Sequence, residues 1–593
     1  MFEKEYITQK ILLFIAMIFI LGFAYNHYLS EKNGISFQEG ENFTIANSSE
    51  NSDDNPYHTN VYNTEEIQEN FFDTPCILSL INSFQLLNEI EKNPNHNSVL
   101  ATSTSENNQQ IWLNDTYYTN LLSVSNGNTF QYKQVTKNCI LSQKAPLYYY
   151  ILHTISSFLD GFHLHRLGFF INAIFLFLSS YLLLGIAKRY LHASWAGLAG
   201  SFLFALSIGC LSTLLCSTPY IMLLFFILFI TEMHLSALRR NSIPIFLLEA
   251  MGIINILALL TDYSYLLFFC TIGICLLITL LFMKRFKDCL LYLLQCILSL
   301  LITSLIYPAF VLHIGTIFFT QKTNVNAMFQ VPFLQQNCSS NLTIIANQLF
   351  THTKMLVVLF MLLLIVLASC LKKGSFREHL SIFTERLRTG DLTDLFIGGV
   401  LVLSFFTLST IYQDENYFIL ITLLPFITLM LSYLCYRLLN AAIHSEYNSG
   451  IFSIVIALIF CFLNLFTTPL DYTYSTYIEQ TTLAAAHQKD YCIFLASDNF
   501  QTSDHILELQ QYAHSLILKK EDIKSLKKNT AFLSQTRMIV YVTDEDYINS
   551  TIDKIAKIGQ FNLVDGLTNY RDANENRIYV YQLRQMKSND LEE

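Results

Sequence analysis

Long uninterrupted runs of apolar residues dominate this sequence of 593 residues. A helix needs about 20 such residues to cross the hydrocarbon of a bilayer, and eleven runs approach or reach that length. They cover residues 11–28, 167–187, 194–214, 218–237, 243–260, 264–283, 289–312, 354–371, 394–411, 417–435 and 450–467. The sequence therefore predicts a mainly α-helical polytopic membrane protein with about eleven transmembrane helices.

The composition supports this class and excludes several others. Hydrophobic residues make up 52% of the chain and charged residues only 14%, whereas a soluble or disordered chain of this length carries more charge. Thirteen cysteines are too few for a small disulfide framework. The net charge of −10 argues against nucleic acid as a partner, because such binding needs a basic surface.

Apolar length alone does not show whether two of the apolar segments cross the membrane. The first run follows Lys4 and Lys10, as a signal peptide would, but Ala24-Tyr25-Asn26 is a poor cleavage site. We therefore predict a retained anchor helix. The segment Pro146–Leu159 has only 14 residues, which is short for a span and ordinary for a helix at the interface.

Basic residues decide the orientation, because cytoplasmic loops are enriched in Lys and Arg. If the N-terminus is cytoplasmic and Pro146–Leu159 does not cross, every basic cluster falls inside, and the short outside loops near 217, 262 and 414 contain no Lys or Arg. The clusters are 188–189, 239–240, 284–287, 372–388 and Arg437. This topology places the long loop 29–145 and the tail 469–593 outside a cell membrane.

The chain then divides into an anchor helix 1–28, an outer loop 29–145, a membrane domain 146–468 and an outer C-terminal domain 469–593. The outer loop holds 14 acidic and 5 basic residues, so it carries nearly all the net charge. The tail is predicted to be a small α/β domain. Its expected strands are Tyr491–Ala496, Arg537–Val542 and Arg577–Leu583, and its expected helices are Asp504–Leu516 and Asp546–Ile558. Cys76 and Cys139 could form a disulfide or remain free thiols.

A motif before the second long run gives the first functional indication. Residues 144–154 read KAPLYYYILHT. This segment resembles the "HPPLYY…LH" segment of the GT-C class of membrane glycosyltransferases, in the branch of family 39-type enzymes that contains protein O-mannosyltransferases and aminoarabinose transferases. Weaker similarities to motifs of that branch occur at 45–48 ("LANS"), 218–220 ("RMY"), 260–263 ("LTHYY") and 416–418 ("RY").

The resemblance implies a reaction and a set of site residues. An acceptor would attack a sugar carried on a polyprenyl phosphate at the outer face. A carboxylate of the first outer loop would act as general base, and a cation would stabilise the departing phosphate. By this resemblance Glu39 or Glu41 is the base, Lys144 contacts the lipid phosphate, and Tyr148 and Asp262 contact substrate. Membrane lipids and an acceptor are the other partners. No cofactor, metal or nucleic acid is expected.

The sequence departs from the GT-C pattern at its polar positions. The Asp of the Asp-Glu pair in the relatives is Gln38 here, and an amide cannot act as a base at neutral pH. An Arg is replaced at Thr218, a His at Asp262 and another Arg at Asn416. These changes leave open a catalytically silent relative that serves as a membrane scaffold. A transporter of lipid-linked sugars is the third hypothesis. It predicts inverted repeats, which the sequence does not show.

Overall fold

The structure is a computed structural model of the chain. It describes residues 2–29, 32, 35–48, 62, 67–72, 74–92, 112–124, 127–159, 164–320, 331–350, 393–411, 417–467, 483–496, 505–542, 548–571 and 577–585. Within these ranges the chain is mainly helical up to residue 467 and forms a small α/β unit after residue 483.

The first outer segment contributes short helices between the anchor and the membrane domain. The anchor is α1 (Phe2–Phe23), continued by a π-helical turn over Ala24–Leu29. The following helices are α2 (Phe37–Asn47), α3 (Cys76–Lys92), α4 (Asp115–Leu122), α5 (Tyr132–Leu141) and α6 (Leu147–Phe158). Helix α2 packs against α4, α5 and α6, so it lies at the centre of this segment.

The membrane domain follows in a second series of helices. These are α7 (Leu164–Tyr190), α8 (Ser194–Ala205), α9 (Ile208–Leu215), α10 (Tyr220–Arg239), α11 (Ile245–Leu259), α12 (Tyr265–Phe282), α13 (Phe286–Ile306), α14 (Ala309–Thr320), α15 (Val331–Leu349), α16 (Thr393–Ile411), α17 (Leu424–Ile443, preceded by the 3-10 turns Tyr417–Leu423) and α18 (Glu446–Thr467). Helix α8 packs against α7, α17 and α18 and forms the centre of the bundle.

The predicted fold class is confirmed on the described residues. Seven of their helices are long and apolar enough to cross a membrane, and a bent pair would make eight. Ten of the eleven predicted runs lie on described helices, although α11 and the apolar part of α16 are shorter than a full span. The run 354–371 lies outside the described residues. The short helix predicted over 146–159 is confirmed as α6, which has 12 residues.

One predicted span is not a continuous helix. The run 194–214 consists of α8 and α9, which meet at an angle of 56°. Ser207 begins the second helix, because its side chain accepts a hydrogen bond from the Cys210 amide as an N-cap. The carboxyl end of α9 therefore lies inside the protein, where its carbonyl groups need partners other than the next helical turn.

The C-terminal unit is a five-stranded mixed sheet in the order β2-β1-β3-β5-β4. Its strands are β1 (Tyr491–Ala496), β2 (His514–Lys519), β3 (Arg537–Val542), β4 (Phe561–Arg571) and β5 (Arg577–Gln585). Strands β2 and β3 pair with β1 in parallel, while β5 pairs with β3 and β4 in antiparallel orientation. Helices α19 (Ile506–Leu509), α20 (Thr530–Leu533) and α21 (Ile548–Gly559) complete the unit.

The predicted strands 491–496, 537–542 and 577–583 are confirmed, as is the helix predicted over 546–558. The helix predicted over Asp504–Leu516 is wrong. Only Ile506–Leu509 is helical, and β2 begins at His514. Leu516 and Leu518 are buried in one core of the sheet while β2 pairs along β1, so tertiary pairing overrides the local helical pattern.

The sheet is attached to the first outer segment rather than hanging free. Leu113 pairs with Ser515 on the edge strand β2 through two backbone hydrogen bonds of 2.7 and 2.8 Å. The Tyr118 hydroxyl lies 2.5 Å from the Ser515 hydroxyl, and the Trp112 indole donates to the Asn529 side chain at 3.1 Å. The outer loop and the tail therefore lie on the same side of the membrane domain.

We expect Tyr118→Phe to weaken this attachment. The change removes a buried hydrogen bond and leaves the Ser515 hydroxyl without it, which costs about 1–3 kcal/mol. Hydrogen exchange at the β2 amides of the purified protein should become faster. Tyr132→Phe is the matched control, because the Tyr132 hydroxyl bonds Thr154 at the exposed surface. Equal exchange in Tyr118→Phe and wild type would contradict the expectation.

Candidate functional site

The acidic residue Glu39 lies in the first turn of helix α2 and takes part in capping it. The Ser36 hydroxyl accepts a hydrogen bond from the Glu39 amide at 3.3 Å, and the Ser36 amide donates to Glu39 Oε2 at 3.1 Å. This reciprocal pair is a capping box. The sequence therefore fixes the Glu39 carboxylate at the start of α2 by a purely local rule.

The same carboxylate is part of a buried ion pair. Lys32 Nζ lies 2.5 Å from Glu39 Oε1, and both side chains are fully buried. Lys32 Nζ also donates to the Leu215 carbonyl at 2.6 Å, and the Ser217 amide donates to Glu39 Oε1 at 2.9 Å. We call these four groups the Lys32–Glu39 clamp. It joins the start of α2 to the end of α9.

Two amide side chains complete the capping of this helix end. Asn172 Nδ2 donates to the carbonyls of Thr213 and Cys216, at 3.0 and 2.6 Å, and Asn42 Nδ2 donates to the Ser217 carbonyl at 2.7 Å. Carbonyls at the carboxyl end of α9 thus receive donors from α2, α7 and the clamp. Because buried carbonyls without partners are costly, these contacts explain how α9 can end inside the protein.

Glu41 faces a different part of the protein from Glu39. Two residues along a helix turn the side chain by about 200°, so the two acids lie on opposite faces of α2. Glu41 Oε1 lies 3.1 Å from Lys144 Nζ. The Lys144 side chain is 35% exposed and that of Glu41 10% exposed. The predicted base and the predicted phosphate contact therefore meet at an accessible edge.

Lys144 owes its position to the way helix α5 ends. The Lys144 amide donates to the Cys139 carbonyl at 2.9 Å, and the Gln143 amide donates to the Ile140 carbonyl at 3.3 Å. Gln143 has a φ of 55°, the left-handed conformation that this Schellman motif requires. Cys139 is a buried free thiol, so the disulfide alternative for Cys139 is not realised. The Cys76 side chain lies outside the described residues.

Tyr148 and Tyr149 lie inside the protein rather than in an aromatic belt at the membrane interface. Both are almost completely buried. Burial raises the pKa of Tyr148 well above its usual value, and the nearby Glu39 carboxylate raises it further. The Tyr149 hydroxyl donates to Asn42 Oδ1 at 2.9 Å. The substrate contact predicted for Tyr148 stays a prediction.

Asp262 lies in the turn between α11 and α12. Its Oδ1 accepts a hydrogen bond from the Ser264 amide at 2.8 Å and also contacts the Ser264 hydroxyl. Its charge helps to raise the pKa of Tyr149, after burial and the charges of Glu41 and Cys139. The observed role is a turn cap, and the predicted substrate contact stays a prediction.

Two of the positions that depart from the GT-C motifs, Gln38 and Thr218, are occupied by packing residues, and Asn416 lies outside the described residues. Gln38 Nε2 donates to the Tyr220 hydroxyl at 3.4 Å, and Thr218 is fully buried. Among the residues that the structure describes, no three His, Cys, Asp or Glu side chains come together as a metal site would require. Sequence reasoning missed Lys32, whose only signal was its basic charge in an acidic segment.

Comparison with known proteins identifies neighbours by structure alone. No family model matches the sequence, and no curated protein matches it at a significant level. Crystal structures of ArnT from Cupriavidus metallidurans do match. The apo form has 11% identity and a TM-score of 0.41 over 74% of this chain and 87% of ArnT. The form bound to undecaprenyl phosphate has 10% identity and a TM-score of 0.42 over 74% and 88%.

ArnT is an aminoarabinose transferase of the GT-C class, which is the class that the sequence resembles. Because both TM-scores are below 0.5, the function proposed below rests on the chain's own contacts and on the sequence motifs.

We expect Lys32→Met to destabilise the protein strongly. The change leaves the Glu39 carboxylate buried without its cation, and breaking a buried pair in this way costs about 3–5 kcal/mol. The double variant Lys32→Met/Glu39→Leu should recover part of that loss, because it removes both buried charges. The measurement is the midpoint temperature of thermal unfolding of the purified protein in detergent.

Arg189→Met is the matched control for the clamp. Arg189 pairs with Glu232, but its side chain is 60% exposed, so its loss should cost less than about 1 kcal/mol. Equal midpoints for Lys32→Met and Arg189→Met would show that the Lys32–Glu39 clamp does not stabilise the protein more than a surface ion pair does.

Proposed function

We propose that this protein is a GT-C-like membrane glycosyltransferase that uses a sugar carried on a polyprenyl phosphate. The donor binds at the edge where Glu41 and Lys144 meet, and the acceptor approaches from the outer side. The loop 29–145 and the tail 469–593 form the outer part of the enzyme, and the N-terminus is cytoplasmic. The protein works in the cell membrane without a metal or another cofactor.

The Glu41–Lys144 pair is the observation that carries this proposal. The reaction needs one acid to accept a proton and one cation to hold a phosphate, close together near the membrane. Glu41 comes from the acidic outer loop and Lys144 from the KAPLYYY motif, and their charged atoms are 3.1 Å apart. Lys144 is also the more exposed of the two, so an incoming phosphate can reach it.

Glu41 is a better candidate for the base than Glu39. Glu39 is fully buried, and Lys32, Ser217 and Ser36 occupy both of its oxygens. A base must lie within hydrogen-bond reach of the proton that it accepts, and a carboxylate with both oxygens engaged has no place for an acceptor. Glu41 has one ion-pair contact, and its side chain is 10% exposed whereas that of Glu39 is fully buried.

The proposed reaction proceeds by direct transfer. The donor phosphate engages the Lys144 ammonium and draws it from Glu41. The acceptor hydroxyl attacks the anomeric carbon, the bond from that carbon to the phosphate oxygen breaks, and the hydroxyl proton passes to Glu41. Lys144 then stabilises the negative charge on the leaving polyprenyl phosphate. Tyr148 and Asp262 are the further candidates for substrate contacts.

A catalytically silent relative is the second candidate, and two observations favour it. Gln38 occupies the position of the acid in the motif and bonds Tyr220 as a packing residue. The neighbouring acid, Glu39, is committed to the clamp. Such a protein would keep the lipid-binding fold and act as an assembly partner. It predicts binding of the lipid phosphate without sugar transfer.

We expect wild-type protein in membranes to transfer radiolabel from at least one polyprenyl-phosphate sugar in a panel of donors. Glu41→Gln removes the base and should lower the rate by about 100-fold or more. Lys144→Ala should weaken the binding of undecaprenyl phosphate by about tenfold or more, because a charge-assisted contact is lost. Binding is measured on purified protein with undecaprenyl phosphate itself.

Matched controls separate the site from general charge effects. Glu69→Gln changes an exposed acid of the same outer loop, and Lys137→Ala changes a partly exposed lysine of α5. Both should behave as wild type. Transfer that survives Glu41→Gln would refute the proposed base. Binding of undecaprenyl phosphate without transfer from any donor would favour the silent relative, and absence of binding would refute both candidates.

A further inference from the structure

The backbone of Lys144 is held by side chains from a different part of the chain. Its carbonyl oxygen lies 3.2 Å from the hydroxyl of Tyr263 and 3.2 Å from the hydroxyl of Tyr307. Tyr263 follows α11, and Tyr307 follows α13. Together with the Schellman motif that ends α5, these contacts restrain both the amide and the carbonyl of Lys144.

A buried histidine, His313, forms a hydrogen bond with one of these two hydroxyl groups. His313 Nε2 lies 3.1 Å from the Ile140 carbonyl, and His313 Nδ1 lies 2.6 Å from the Tyr263 hydroxyl. Burial lowers the pKa of His313 to about 3, so the ring is neutral near pH 7. Nε2 must then carry the proton toward Ile140, and Nδ1 must accept from Tyr263. The Tyr307 hydroxyl, which also forms a hydrogen bond with the Tyr263 hydroxyl, then remains as the donor within reach of the Lys144 carbonyl.

The histidine itself is fixed on every side. The Tyr62 ring stacks on it at 5.4 Å with an angle of 10° between the planes, and Gln143 Nε2 donates to the His313 carbonyl at 3.0 Å. The Tyr62 amide donates to the Leu141 carbonyl at 3.3 Å, and its hydroxyl donates to Thr316. Residues of the acidic loop, α5 and α14 are therefore packed together next to the Lys144 backbone. We call Tyr62, Tyr263, Tyr307 and His313 the platform.

We infer that Tyr307, Tyr263 and His313 are positioning residues that fix the Lys144 backbone and so set the affinity for the lipid phosphate. This inference rests on the proposed function, in which Lys144 holds that phosphate. A lysine on a fixed backbone loses less freedom when it binds than one on a mobile loop. The platform leaves the outer half of the side chain free to move from Glu41 to the phosphate while its base stays in place.

The order of the hydrogen bonds predicts an order of effects. Tyr307→Phe removes the donor to the Lys144 carbonyl and should weaken binding of undecaprenyl phosphate by about tenfold. Tyr263→Phe breaks the link to His313 but leaves Tyr307 in place, so its effect should be smaller. Tyr292→Phe is the matched control, since that buried hydroxyl bonds His234 in another part of the bundle and its loss should leave binding unchanged.

A double-variant cycle tests positioning against general destabilisation. Undecaprenyl phosphate binding is measured for wild type, Tyr307→Phe, Lys144→Ala and the double variant. If Tyr307 acts through Lys144, its tenfold effect should disappear in the Lys144→Ala background. Hydrogen exchange at the amides of residues 142–145 and 147 should become faster in Tyr307→Phe and stay unchanged in Tyr292→Phe.

The outcomes distinguish the inference from the function on which it rests. Binding in wild type that Tyr307→Phe leaves unchanged would overturn the positioning role alone. An equal loss in both backgrounds would mean that Tyr307 acts independently of Lys144 and would also overturn it. No binding by wild type would overturn the proposed function and the inference together. Should Tyr307→Phe fail to fold, the same cycle with Tyr263→Phe must show a smaller coupling to Lys144, and additive effects would refute the role.

Discussion

The buried ion pair between Lys32 and Glu39 is the contact on which the arrangement around the site depends. Two charges removed from water are expensive, and their attraction offsets that expense only when every remaining hydrogen-bonding position is used. Here the ammonium also bonds the Leu215 carbonyl, and the carboxylate also bonds the Ser217 and Ser36 amides. The pair thereby turns the end of a broken span into an anchor for helix α2.

Anchoring α2 on one face determines what its other face can do. Glu39 is held against α9, so Glu41 must point the opposite way, toward Lys144. The two acids that are indistinguishable in the sequence acquire different tasks, because one is used for structure and the other stays partly exposed. The protein can therefore accommodate Gln38 in place of the acid of the motif, because neither the Lys32–Glu39 clamp nor the Glu41–Lys144 pair involves that side chain.

Much of the fold could be predicted from the sequence because apolar length is a local property. Ten predicted spans lie on helices, and the short helix α6 was recognised from its 14-residue limit. The break at Ser207 could not be predicted from the apolar length of the run, and the carbonyls at the end of α9 are satisfied by Lys32 and Asn172 from elsewhere in the chain. Strand β2 was missed because its pairing with β1, rather than its own pattern, makes it a strand.

The candidate site could also be predicted only in part from the sequence. The motif located Lys144, and the acidic loop located two acids, but choosing between Glu39 and Glu41 required the rotation of α2 and the partner of each carboxylate. Lys32 and Leu215 are separated by 183 positions. The support of Lys144 by Tyr263 and Tyr307 likewise comes from residues that follow two later helices, so no local pattern announces it.

The bridge between Leu113 and the edge strand β2 has a consequence for biogenesis. Tyr118 and Ser515 are 397 positions apart, and the entire membrane domain lies between them. During synthesis the outer loop therefore emerges long before its partner strand exists. The loop that carries Glu41 can complete its packing only after the last helices and the tail have been made. Completion of the site is thus tied to completion of the chain, and a truncated product lacks part of the support for its outer loop.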